Sequence, residues 1–110
     1  MAHEVVDVIA DKKGEDILLL DIRNLSAFAD FFVIGSGLSE RQLSALVDGL
    51  DEALRQRHKR RPLSIEGKAE SGWILLDYGD VVVHLFSLEK RAFYDLEELW
   101  HDGKTIVHIQ

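Results

Sequence analysis

The segment from Ser39 to Pro62, "SERQLSALVDGLDEALRQRHKRRP", constrains the fold most. Ser39 and Gln42 have the spacing of a capping box. The serine oxygen accepts from the backbone N–H of the third helical residue, and the glutamine reaches back to the cap. Leu43, Leu46, Val47, Leu50 and Leu54 then recur on a single stripe. The spacing predicts a helix over 40–58, and Pro62 forbids much more. At ~1.5 Å per residue such a helix spans most of a small domain. Its one apolar stripe needs a matching layer, which the rest of the chain has to supply.

That layer reads as a sheet. "DILLLDI" and "FFVIGSG" are short apolar runs bounded by polar residues, "LSIEG" is a shorter one, and "WILLDYGDVVVHLF" reads as two strands with a tight turn near Tyr78-Gly79. In the last of these, Val82, His84 and Phe86 share one face and Val81, Val83 and Leu85 the other. Apolar residues on both faces mark a central strand. Val5, Val6 and Ile9, with Ala2 and Ala10, predict a short first helix that Gly14 ends. A last helix is expected over 88–100, with Phe93, Leu96, Leu99 and Trp100 as its apolar stripe. For residues 104–110 a strand and an ordered tail both stay open. The order implies an α/β (α+β) fold, one mixed β-sheet flanked by helices, in a single domain over 1–110.

A net charge of −7 argues against a broad grip on nucleic acid and favours a basic protein partner. The exception is the Arg55–Arg61 cluster, "RQRHKRR". Cations at a helix C-terminus interact favourably with its exposed carbonyls, so a solvated helix end explains the run; a minor contact with RNA phosphate is the functional alternative. With no cysteine, disulfides and thiolate chemistry are excluded. No apolar run approaches the ~20 residues of a membrane helix. The N-terminus lacks the apolar core of a signal peptide, so a cytoplasmic location is expected.

Four features invite a chemical reading. "GSG" at 35–37 follows a strand and precedes a capped helix, where free N–H groups can hold an anion. A nucleotidyltransferase would also need paired carboxylates on a nearby strand to hold magnesium, and none stands at a suitable distance. Asp77 and Asp80 flank the turn and are expected to orient it through backbone N–H bonds. His84 is expected to be a hydrogen-bonded core residue, since the five histidines show no zinc spacing. Trp73 opens a strand and reads equally as core or as a binding hot spot. No catalytic residue, metal or cofactor is expected.

Three segments, "ADFFVIGSGLSERQ", "IEGKAESGWILLDYGDVVVHLF" and "RAFYDLEELW", stand in the order and spacing of one family. From about Val5 to Trp100 the chain resembles the ribosomal silencing factors, also called Iojap-related proteins. The resemblance implies a nucleotidyltransferase-like topology without the catalytic carboxylates. It also implies a non-enzymatic translational repressor that binds the large ribosomal subunit through its fourteenth ribosomal protein and sterically blocks joining of the small subunit. Large-subunit assembly is the family's alternative role, and a divergent nucleotidyltransferase is the rival from another class.

The docking residues carried over are Trp73, Leu75, Asp77 and Tyr78, with Lys68 and Glu70 at the rim. Trp73, Leu75 and Asp77 alternate onto one strand face. Ser39, Arg41 and Gln42 form a candidate second contact, although capping already explains two of them. Arg91 and Glu97 are expected to pair within the last helix. A homodimer of the free chain is compatible with an exposed apolar sheet face.

Overall fold

In the computed structural model, which describes residues 1–110, the chain opens with α1 (Ala2–Asp11), β1 (Glu15–Asp21), β2 (Phe31–Gly37) and α2 (Glu40–His58). It continues through β3 (Ser64–Glu66), a 3-10 turn (Ala69–Ser71), β4 (Trp73–Asp77) and β5 (Val81–Ser87). It closes with α3 (Leu88–Tyr94), α4 (Leu96–Leu99) and β6 (Lys104–Ile109). The strands form one mixed sheet in the order β3-β4-β5-β2-β1-β6. Only the central β2–β5 pair is parallel. A parallel pair needs a crossover, and α2 provides it. Residues 104–110, left open by the sequence, supply an edge strand antiparallel to β1.

One face of the sheet is covered by α1 and α2. Val5 and Ile9 meet Leu43, Leu46, Leu50 and Leu54 over Ile17, Leu19, Val33, Leu76, Val83 and Leu85. The four leucines of α2 are at most 1 % exposed, and burying each contributes about 1.5–3 kcal/mol. Val47 lies half-buried on the flank of the stripe. The helices reach the sheet at its glycines. A Cβ at Gly35 would stand 3.2 Å from Cγ2 of Ile9, and one at Gly37 would stand 2.9 Å from Cδ2 of Leu43.

The start of α2 is capped differently from expectation. Ser39 Oγ does accept from the Gln42 N–H at 3.1 Å. The Gln42 side chain, however, accepts from the Leu38 N–H at 2.6 Å and donates to the Lys13 carbonyl at 2.6 Å. It therefore ties α2 to the turn after α1 instead of closing the box on Ser39. At the other end Lys59 adopts a left-handed conformation (φ 56°), and its N–H returns to the Arg55 carbonyl.

The opposite face is only partly covered. Leu18, Leu20, Ile22, Ala29, Ile34, Phe86 and Leu96 are buried there, with Phe32, Trp73, Val82 and Trp100 packed at the margins. The single helix expected over 88–100 is broken at Asp95, which sits in the left-handed region (φ 47°). Aspartate tolerates that conformation because its short polar side chain can bond locally. The break leaves Leu96 buried but Phe93 and Leu99 exposed at 74 % and 71 %, so the expected four-residue stripe does not form. Arg91, 6 % exposed, anchors this corner. Its guanidinium donates to the Asp16 carbonyl, to Ser36 Oγ at 2.9 Å and to Glu97 Oε2 at 3.3 Å, and the last is the expected pairing.

Candidate functional site: the open face of the sheet

Along β4, Ile74 and Leu76 turn toward the helices, while Trp73, Leu75 and Asp77 line the other face, each half-buried. Leu75 stands opposite Glu66 and His84, and Asp77 opposite Ser64 and Val82. Val82 in turn stands opposite Phe32, whose ring meets Trp100 at 5.0 Å. The half-buried residues thus run as a band across the sheet, from the β3 edge toward α4. A shallow cleft of about 210 Å³ lies at the β3 end, lined by Glu66, Gly67, Trp73 and Leu75. Gly67 (φ 83°) is required there, because a Cβ would stand 2.0 Å from the Trp73 carbonyl oxygen.

Trp73 resolves as neither plain core nor free surface. Its indole stacks on Phe86 (5.1 Å between centroids), touches Tyr94 (4.5 Å) and donates its N–H to His84 Nδ1 at 3.3 Å. One edge of the ring is fixed and the remainder faces outward, the arrangement of a pre-ordered anchor. His84 is 5 % exposed, and burial lowers its pKa to about 4, so it is neutral near pH 7. Accepting from Trp73 leaves the ring proton on Nε2, which is buried without a partner. The histidine is therefore a support for Trp73.

The two aspartates of the turn behave as expected. Asp77 Oδ1 accepts from the Gly79 N–H at 2.8 Å, and Asp80 Oδ1 from the Val81 N–H at 3.1 Å. Arg60 bonds Asp80 at 2.8 Å, holding its carboxyl below the usual range, and also donates to the Tyr78 carbonyl.

Tyr78 corrects the expectation. It is 1 % exposed, packs in the helix-side core with Ile74 and Leu76, and burial raises its pKa to about 12. Its side chain thus lies on the opposite side of the sheet from Trp73, Leu75 and Asp77. Lys68 and Glu70 are exposed on the 3-10 turn. Glu70, however, lines a separate depression beside Leu38, Ser39 and Glu40.

The remaining candidates have structural partners. Ser36 of "GSG" bonds Arg91, and its flanking glycines admit Ile9 and Leu43, so each residue of the motif has a packing role. In the Arg55–Arg61 cluster, Arg55 pairs with Asp51 (2.9 Å), His58 with Glu4 (2.6 Å), Arg57 more distantly with Glu4 (3.8 Å) and Arg60 with Asp80. Lys59 and Arg61 are the exposed cations without an ion pair. No group of three or more His, Asp or Glu is placed to hold a metal ion, and no helix is long and apolar enough to cross a membrane.

Sequence reasoning did not reach Phe32, Val82, Tyr94 and Trp100. Alternation places Val82 beside His84 and Phe86, but joining them to Trp73 requires the β4–β5 register.

Comparisons with known proteins meet this geometry. Residues 1–110 match the model of a family described as "Ribosomal silencing factor during starvation". The chain is 44 % identical over 97 residues to the ribosomal silencing factor RsfS of Bacillus subtilis, covering 84 % of this chain and 78 % of the relative. It is 39 % identical over 104 residues to that of Halalkalibacterium halodurans, covering 92 % and 86 %. A crystal structure of a Chromobacterium violaceum protein superposes with a TM-score of 0.83 at 30 % identity, covering 98 % of this chain and 92 % of the other. The chain belongs to the ribosomal silencing factor family.

Proposed function

We propose that this protein represses translation by binding the large ribosomal subunit, through its fourteenth ribosomal protein, and so keeping the small subunit from joining. The observation that carries this reading is the band of half-buried residues Trp73, Leu75 and Asp77 on a sheet face that α3 and α4 cover only in part. An apolar centre with a carboxylate at its edge suits a basic protein surface, because a complementary field speeds encounter and disfavours wrong partners. Occlusion asks for no covalent step and no cofactor. A contact of standard size, ~800 Å² per partner, is a modest share of the 6360 Å² this chain exposes. The setting is the cytoplasm, where subunits join.

Co-sedimentation with separated subunits, and then with both under joining conditions, tests the proposal. Binding to the large subunit with fewer joined ribosomes is expected. Trp73→Ala should abolish binding while the far-ultraviolet circular dichroism is retained. Binding without any effect on joining would move the function to large-subunit assembly, and absence of binding would sink both.

A further inference from the structure

We infer that Phe93 and Tyr94, displayed where the chain breaks between α3 and α4, form a second anchor of the docking face, seated in an apolar pocket of a basic protein surface. The inference rests on the docking reading above and extends it beyond the strand residues.

The aromatic contact is continuous. Trp73 meets Tyr94 at 4.5 Å, and Tyr94 meets Phe93 edge-on at 5.0 Å. Exposure grows outward along this line, to 43 % at Tyr94 and 74 % at Phe93. Asp95 produces the display. An uninterrupted helix would carry Phe93 in line with Leu96, whereas the left-handed residue separates them, leaving one buried and the other in water. The Asp95 N–H returns to the Arg91 carbonyl, and Arg91 is buried against Asp16, Ser36 and Glu97, so the break is fastened to the sheet. An aromatic pair held in place before contact loses little entropy on binding.

The surroundings indicate the occupant. Glu89, Asp95 and Glu98, all within five residues of the pair along the chain, are exposed, a local acidity that disfavours a phosphate backbone and favours lysine and arginine. Lys90 Nζ lies 5.6 Å from the centre of the Phe93 ring, a cation–π contact made within α3 itself.

Phe93→Ser is the informative variant, because the side chain is largely in water and its loss leaves the core intact. Phe28→Ser is the control, being 93 % exposed on the loop before β2 and making no ring contact. Binding to isolated large subunits and to the purified fourteenth ribosomal protein would be measured alongside Trp73→Ala. A loss of at least tenfold for Phe93→Ser on both targets, with Phe28→Ser at wild-type affinity, is expected. If Trp73→Ala loses binding and Phe93→Ser does not, the second anchor is refuted while the docking reading stands. Weakening on subunits but not on the isolated protein would mean that RNA meets the ring, overturning the protein occupant. A change in self-association of the free chain, with subunit binding intact, would assign the rings to a second copy and overturn the inference equally. If neither Trp73→Ala nor Phe93→Ser weakens binding, the docking face itself is wrong.

Discussion

The two faces of the sheet are built from different residues for different ends. Beneath α1 and α2 the contacts are chiefly aliphatic, two helices close the layer, and the glycines of β2 bring it to minimum separation. The other face is aromatic at its centre, with Trp73, Phe86, Phe32 and Trp100 around a buried histidine, and two short helices cover only part of it. Aliphatic packing closes a core without directional demands, whereas aromatic rings offer large area that a partner can still complete. The first face holds the fold, and the second is where loss of a side chain should be felt mainly in binding.

The strongest way to break this contrast is through the helix-covered face. Leu50→Ala is expected to reduce unfolding stability by about 3–5 kcal/mol, the transfer loss plus the cavity left behind. Denaturant titration reads it, and a loss below 1 kcal/mol would mean that α2 is not the principal seal.

On the aromatic face, His84 should make stability depend on pH. Its folded pKa of about 4 lies below the ordinary 6.5, so the unfolded chain takes up the proton first. Stability is complete above pH 6.5 and declines as pH falls toward 4, by about 3 kcal/mol at ~1.4 kcal/mol per pH unit. His84→Gln should flatten that slope in urea titrations between pH 7 and 4; an unchanged slope would place the titration elsewhere.

Leu75→Ala sharpens the comparison from the other direction. It should weaken large-subunit binding about tenfold, equivalent to ~1.4 kcal/mol, while lowering stability less than Leu50→Ala does. Equal losses on both measures would show that the half-buried band is ordinary core. The smallest effect is at the helix start. Ser39→Ala should lower the unfolding midpoint by about 1 kcal/mol equivalent, without changing binding.

How legible this molecule was in its sequence depended on whether a local signal decided the outcome. The bounds of α2 followed from Ser39, the leucine stripe and Pro62, all within one segment. The alternation that sets Trp73, Leu75 and Asp77 on one face also implies that Tyr78, like Ile74 and Leu76, belongs to the other, where the structure has it. Asp95 carried no comparable warning, since no glycine or proline marks the break and Arg91 holds it through residues distant in sequence. The second role of Gln42 was hidden for the same reason, because its partner at Lys13 is brought near only by packing α1 on α2. Local periodicity was readable, and long-range polar partners were not.

The central parallel pair has a consequence for how the protein comes into being. β2 cannot find β5 until everything between Gly37 and Val81 has been synthesised, and such distant pairings close late. Trp73 gains its ring neighbours later still, once Phe86 and Tyr94 have emerged. A chain made only as far as β4 therefore lacks the finished aromatic face. The aromatic face is complete only once the chain has been made through Tyr94.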